Sequence, residues 1–428
     1  MMPTRRPWFG QPPGLTILFL TNMWEQFSFY GMRALLVYYM TKQLGMSQGS
    51  SSYVYGAYAA SAYLTPVFGG IVADRWLGKR RAVALGALIM SAGHFMMAFP
   101  ALFFPALTTI ALGNGLFLPT LPAQIDDLYE ADDPRRGWAY NVYYVGINIG
   151  GFLAPLVCGT LGELVGWDYG FTAAGVGMLA GLLIYVGGRR YLPDEAPRSR
   201  RAERKCASVS TSRAVFLLLA AVCALVTVFR GAYEQVGNTV ALWIDSGVDR
   251  RVGDLTIPMT WFQSLNPLLV FLLTPPLLAW WAHRARAGRP DTPMRRMALG
   301  SAIVAFAYLL LVLVSAGPEG HRASWHWAVL FFFLLTVGEL HILPSGLALF
   351  ARLAPEGLGA TTIAAWYLTI FFGSLFAGAV GSWWSLLPQP IFFSVLVGLS
   401  LLAAILLFCL DGIAVRVERR DQAKRPRN

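Results

Sequence analysis

Five ionisable side chains stand inside long apolar stretches of this chain: Glu25, Arg33, Arg230, Glu234 and Glu339. A charge at the middle of a lipid-crossing helix costs about 2.5–3.5 kcal/mol on insertion scales, so each must be offset by pairing, hydration or function. Arg230 and Glu234 are four residues apart and can pair on one helix face. Glu339 has no cation one helical turn away, so it is either paired across a bundle, for example with Arg33 or Arg230, or uncharged. Three carboxyls against two guanidiniums leave one acid in surplus. That surplus makes Glu25 and Glu339 candidates for loading and releasing a proton. His341, close to Glu339, ranks behind them, and His94 reads as a hydrogen-bonded packing residue.

A second group lies around the first acid. Asn22, Glu25, Gln26, Phe29, Tyr30 and Arg33 follow three- and four-residue steps and form one helical stripe, which should face a wet cavity. A third is the compact loop GGIVADRWLGKRR, which holds Asp74, Arg75, Gly78, Lys79, Arg80 and Arg81. Its acid can accept hydrogen bonds from a neighbouring helix N-terminus while its bases anchor to lipid phosphate, a latch able to break as helices rock.

The elements that must carry these residues are membrane-spanning helices. Apolar residues make up 56% of the 428 and charged residues 13%, against roughly 25% charged in soluble domains. Stretches of about 20 apolar residues recur, the length needed to cross the hydrocarbon layer. We place twelve spans, beginning at Gly14, Val54, Val83, Leu102, Trp138, Phe171, Ala214, Pro258, Met297, Trp325, Gly359 and Ile391. All are expected to be helices, because an isolated strand leaves its backbone unsatisfied in lipid. Roughly 28 of the 34 basic residues fall in the termini and alternate loops, which puts both termini in the cytoplasm. The N-terminus is short and basic and runs straight into the first span, so that span is read as retained.

The polar, charged connection at residues 187–213 separates an N-terminal six-helix bundle (1–186) from a C-terminal one (214–412), with a basic tail at 413–428. Two equal halves suggest a duplicated architecture with a site between them near the bilayer midplane. Cys158, Cys206, Cys223 and Cys409 form no CxxC or His/Cys cluster, so neither a metal nor a disulfide framework is expected, and no other cofactor is implied. There is no HExxH, nucleophile elbow or P-loop, which argues against an enzyme. The net charge of +11 is accounted for by the basic loops, without nucleic acid as a partner.

The spacing G-x-x-x-D-R-x-x-G-[KR]-[KR] in the loop resembles the signature of the major facilitator superfamily. The resemblance narrows. WEQFSFYGMRALLVYYMT is similar to the ExxERFxYYGMR stretch of the proton-dependent oligopeptide transporter (POT/PTR2) family. Tyr143, Tyr144, Ile147, Asn148, Gly150 and Gly151 match its FYxxINxG signature, with Gly where the last Ser would be. GNGLFLP, AYEQVGN, WFQSLNP, GELHILPSGL and AWYL follow in order along nearly the whole chain.

The resemblance implies an all-α membrane protein of the major facilitator fold, with twelve helices in two six-helix bundles. It implies a carrier of di- and tripeptides driven by protons, a monomer in the plasma (inner) membrane among its lipids. Positions matching the family's peptide site are Phe29, Tyr30, Arg33, Tyr63, Asn148, Glu234, Asn266, Glu339 and Trp366. In that reading Arg33 holds the peptide carboxylate, Glu339 the amine, Asn148 and Asn266 the amides, and the aromatics the side chains. Glu25, Glu339 and His341 stand for proton coupling, and Asp74, Arg75, Gly78, Arg80 and Arg230 for gating. The departures fall on coupling: Asn22 and Gln26 replace two charges of ExxER, and Leu118 replaces the lysine of the fourth span. Phe29 and Leu343 also alter the pocket. Alternatives are therefore an uncoupled or non-peptide carrier of the same fold, or a transport-inactive receptor or scaffold.

Overall fold

Long apolar runs with few internal breakers become long helices. The structure is a computed structural model that describes residues 10–130, 133–193, 213–288, 291–318, 322–354 and 359–424. Most of the connection expected at 187–213, Cys206 within it and the last four residues of the tail lie outside the described residues. The helices of the first part of the chain are α1 (Pro13–Tyr38), α2 (Gln48–Val72), α3 (Lys79–Met96), α4 (Phe103–Phe117), α5 (Arg135–Ala154), α6 (Thr160–Leu164) and α7 (Trp167–Gly188). Those of the second are α8 (Arg213–Tyr233), α9 (Thr239–Gly247), α10 (Met259–Gln263), α11 (Leu265–Arg286), α12 (Pro293–Ser315), α13 (Trp325–Leu353), α14 (Gly359–Gly381) and α15 (Gln389–Lys424). The last helix runs well past its expected end, so the described part of the basic tail is helical.

Among the described residues, nine helical stretches are long and apolar enough to cross a membrane. The other three expected spans correspond to α1, α3 and α14. The polar stripe lowers the hydropathy of α1, and α3 opens on Lys79, Arg80 and Arg81. α14 is apolar along Ala365–Gly381.

Contacts divide the chain into two compact units. Unit 1 comprises Met1–Gly45, Ser61–Arg200 and Leu255–Leu268; unit 2 comprises Met46–Ala60, Arg201–Asp254 and Leu269–Asn428. The first half of α2 therefore packs with unit 2, and α10 with the opening residues of α11 packs with unit 1. In unit 1, α1 lies on α5 and α7, and α3 on α4 and α7. Its core gathers Leu18, Val83, Met90, Phe117, Ile125 and Met178, with the Tyr185 hydroxyl donating to Gln124 at 2.9 Å. In unit 2, α12 packs on α13 and α15, and α8 on α14 and α15.

The α12–α13 crossing explains one motif. A Cβ on Gly338 would lie 2.7 Å from the Gly300 carbonyl oxygen, and one on Gly300 would lie 2.5 Å from that of Gly338. Only glycine lets the two backbones approach so closely. The crossing fixes the axial position of Glu339, the next residue.

Candidate substrate and coupling site

In unit 1 the α1 stripe is divided rather than uniformly wet, which corrects the expectation of one cavity-facing stripe. Asn22 is buried because its amide donates to the Tyr143 carbonyl of α5 at 3.1 Å. Glu25 is 1% exposed and accepts from the Gln26 amide at 2.7 Å. Phe29 is buried and meets Tyr30 edge-on at 5.5 Å between ring centres, whereas Gln26, Tyr30 and Arg33 are half-buried.

Tyr30 is the hinge of this arrangement. A Cβ on Gly151 of α5 would meet the Tyr30 ring at 3.2 Å and the Pro267 side chain at 3.5 Å. Tyr30, the end of the Asn148 motif and the start of α11 beside Asn266 therefore meet in unit 1. Asn148 donates to the Tyr144 carbonyl of its own helix at 2.9 Å, which holds its side chain along α5. Tyr63 and Asn266 are half-buried members of the same unit.

In unit 2 the charges form a connected cluster. The Arg230 guanidinium meets the Glu234 carboxylate at 2.7 Å, with the side chains 6% and 3% exposed. The sequence breaks α8 at this point: the helix ends at Tyr233 and Glu234–Gly237 form a 3-10 turn. Tyr233, between the paired residues, has its ring 5.2 Å from the Arg230 guanidinium carbon and shares a side-chain hydrogen bond with Glu339. Tyr308 of α12 donates to the Ala232 carbonyl at 2.6 Å and pins the end of α8. Trp366 is buried against Gly346 and meets Phe350 at 5.3 Å. Both lie on the face of α13 that carries Glu339, seven and eleven residues on.

The break needs its own polar partners, because an interrupted helix in an apolar layer frees backbone groups. Gln235 donates to the Gly231 carbonyl at 3.0 Å and to Ala377 of α14 at 2.8 Å. Ser52 of α2 donates to Asn238 at 2.9 Å, and Gln48 donates to Ser52 at 2.8 Å. These roles of Gln235 and Asn238 explain why the AYEQVGN stretch is rich in amides. His341 is placed elsewhere: residues two apart on a helix do not share a face. Its Nδ1 bonds the Val337 carbonyl at 2.8 Å, and its ring packs on Trp281 at 5.4 Å.

In the loop between α2 and α3, Asp74 and Arg75 are exposed on a π-helical turn, Ala73–Leu77. Gly78 reverses the chain at φ 79°, a conformation open to glycine. Arg80 donates to the Leu192 and Pro193 carbonyls. Lys79 is the buried base, bonded to the Asp127 carboxylate and donating to the Ala123 carbonyl at 2.8 Å.

Two functional-looking contacts have no local signal in the sequence. Tyr233 was legible only as part of AYEQVGN. Glu163, at the end of α6, accepts from the backbone N–H groups of Met259 and Thr260 at 2.9 and 2.8 Å and so satisfies the start of α10. Outside the spans, Arg135 bonds Asp133 at 2.7 Å and holds its carboxyl below the usual carboxylate range.

A sequence model described as the POT family matches residues 80–216 and 209–388. The chain is 30% identical to the Peptide transporter YePEPT of Yersinia enterocolitica, over 89% of each chain. It is 31% identical to a Di-/tripeptide transporter of Lactococcus lactis, over 85% of this chain and 88% of that one. Among solved structures it superposes on a crystal structure of peptide transporter POT in complex with sulfate, with a TM-score of 0.87, 27% identity and 96% of each chain covered. The matched segments contain the Gly151, Glu234 and Glu339 motifs around which both units are organised. The chain thus belongs to the POT family and is an all-α, multi-pass membrane protein of the major facilitator fold.

Proposed function

We propose that the chain carries di- and tripeptides, or peptide-like molecules, across the plasma membrane by alternating access with a proton link. The observation that carries this reading is the buried Arg230–Glu234–Tyr233–Glu339 cluster, two carboxyls and one guanidinium joined through a phenol in a family whose relatives bear the names of peptide transporters. With two carboxyls against one guanidinium the cluster is neutral when one carboxyl is protonated and carries one negative charge when neither is, so taking up a proton relieves a buried charge. In this reading the six-helix halves at 1–186 and 214–412, joined by 187–213, carry the peptide-binding positions, Arg33 and Asn148 in the first and Glu234, Asn266, Glu339 and Trp366 in the second. Both termini, including the 413–428 tail, face the cytoplasm, and the monomer is the working form. Asp74, Arg75, Gly78 and Arg80 serve the gate.

A second reading is favoured by one observation. The neutral amide of Gln26 serves Glu25 where the family pattern places a cation, so Glu25 can be a structural acid and the carrier uncoupled. Uptake of labelled alanyl-alanine into proteoliposomes decides. The coupled carrier accumulates peptide only under an inward proton gradient, and Glu339→Gln abolishes accumulation while sparing exchange. Gradient-independent equilibration selects the uncoupled carrier. No uptake by folded wild-type protein, equal to an Arg33→Ala control, overturns the reading and leaves a receptor.

A further inference from the structure

A cavity of about 540 Å³ opens in unit 2 where α11 ends and α12 begins, away from the Arg230–Glu234–Glu339 cluster. Its wall holds three arginines, two tryptophans and His341. Two of the arginines are neutralised: Arg284 forks onto Asp291 at 3.0 Å, and Arg295 meets Asp411 at 2.7 Å. Arg296 has no carboxylate within salt-bridge distance among the described residues. Its guanidinium stacks 4.4 Å from the Trp281 ring centre.

Besides Arg284 Nε, which lies 3.0 Å from the Asp291 carboxylate, three polar atoms at this cavity have no hydrogen-bond partner among the described residues: Arg296 Nε, Trp281 Nε1 and His341 Nε2. Trp281 and His341 are 8% and 3% exposed. Buried polar groups left without partners are costly, so the set is built for a guest. Two of the three are N–H donors, one cationic, which suits an oxyanion. His341 Nδ1 faces a carbonyl and must carry the proton there, so in the neutral ring Nε2 presents a lone pair. It suits a hydroxyl or ammonium donor one group beyond the oxyanion.

The surroundings say what carries that oxyanion. Leu299, Leu401, Ile405 and Phe408 at the rim are 45%, 41%, 59% and 62% exposed, an apolar border on a helix bundle that crosses a membrane. We propose that this cavity binds the phosphodiester of a phospholipid whose headgroup ends in a hydroxyl or primary ammonium. The phosphate sits on Arg296 and the Trp281 N–H, the headgroup donor reaches His341, and the acyl chains lie along Leu299, Ile405 and Phe408. Phosphatidylglycerol and phosphatidylethanolamine fit this chemistry. Phosphatidylcholine supplies the phosphate but no donor.

The test is a titration of delipidated protein in detergent, read by native mass spectrometry and by the melting temperature. The probes are phosphatidylglycerol, phosphatidylcholine, glycerol 3-phosphate and inorganic phosphate. Wild type should retain one phosphatidylglycerol more tightly than phosphatidylcholine and show no response to the soluble phosphates. Arg296→Gln should weaken retention about fivefold or more, with Arg296→Lys recovering part of it. Trp281→Phe keeps an aromatic face for the arginine while removing the N–H donor and one fused ring, so it should weaken retention even if the arginine variant folds poorly. Arg251→Gln, in an exposed loop, should change nothing. Equal retention by wild type, Arg296→Gln and Trp281→Phe overturns the site. Protection by inorganic phosphate as strong as by lipid overturns the lipid and assigns a soluble phosphate ligand.

Discussion

Glu25 of α1 and Glu234, the residue after α8, are both buried, yet they are held in different ways. Glu25 accepts from its sequence neighbour Gln26, whose half-buried side chain lies on the same helix. Glu234 sits in a broken helix, paired with Arg230 and linked through Tyr233 to Glu339 on α13. The first arrangement is local, an acid served by the amide of its neighbour, so losing it disturbs one helix face. The second joins α8 to α13, with Tyr308 of α12 fastening its base, so a change in one charge is felt by three helices. A carrier that moves protons needs the second kind of arrangement, because only a shared network converts protonation into helix displacement.

Breaking the Arg230–Glu234 pair should have the largest effect. Arg230→Ala leaves a buried carboxylate uncompensated and should lower stability by roughly 3–5 kcal/mol. A double replacement by Arg230→Met and Glu234→Met should cost much less, and chemical denaturation or thermal melts of the purified variants measure both. If the loss in the double variant equals the sum of the losses in Arg230→Met and Glu234→Met alone, the pair is not coupled. Next, Tyr233→Phe removes one hydrogen bond to Glu339 and should cost about 1.5–3 kcal/mol if that carboxyl is ionised. The same variant should displace the pH profile of peptide uptake; an unchanged profile would place coupling outside this cluster.

Gln26→Leu offers the contrast within α1, with an expected loss of about 1 kcal/mol and no displacement of the pH profile. A displaced profile would move the coupling role to Glu25 and reverse the comparison. The smallest effect is expected at the half-buried Asp133, outside the spans, whose carboxyl Arg135 holds below its ordinary value. A depressed carboxyl contributes stability above its unfolded value and loses it as pH falls through the lower folded one. Asp133→Asn should therefore melt slightly below wild type at neutral pH, with the difference closing in strong acid.

Much of this was legible in the residues. Apolar length placed helices at every expected span, including α1 and α3, whose own hydropathy is reduced by the polar groups they carry. The four-residue spacing of Arg230 and Glu234 foretold their pairing, because helix geometry alone sets that distance. The ordered motifs pointed to the family that the comparisons then showed. The split of the α1 stripe was not legible, since burial of Asn22 depends on a carbonyl of α5 that lies 121 residues away. His341 was legible as an intramembrane histidine but not as part of a separate cavity.

The sequence by itself determined that the chain is a bundle of membrane helices and which of its residues carry charge into the apolar layer. Hydrophobic length and helical period are local properties, readable from neighbours along the chain. Only the tertiary structure decided which charges meet: Glu339 with Tyr233, Lys79 with Asp127, and Arg295 with Asp411. Such pairings depend on how helices cross, and a crossing such as Gly300 on Gly338 is set by the shape of two surfaces far apart in sequence.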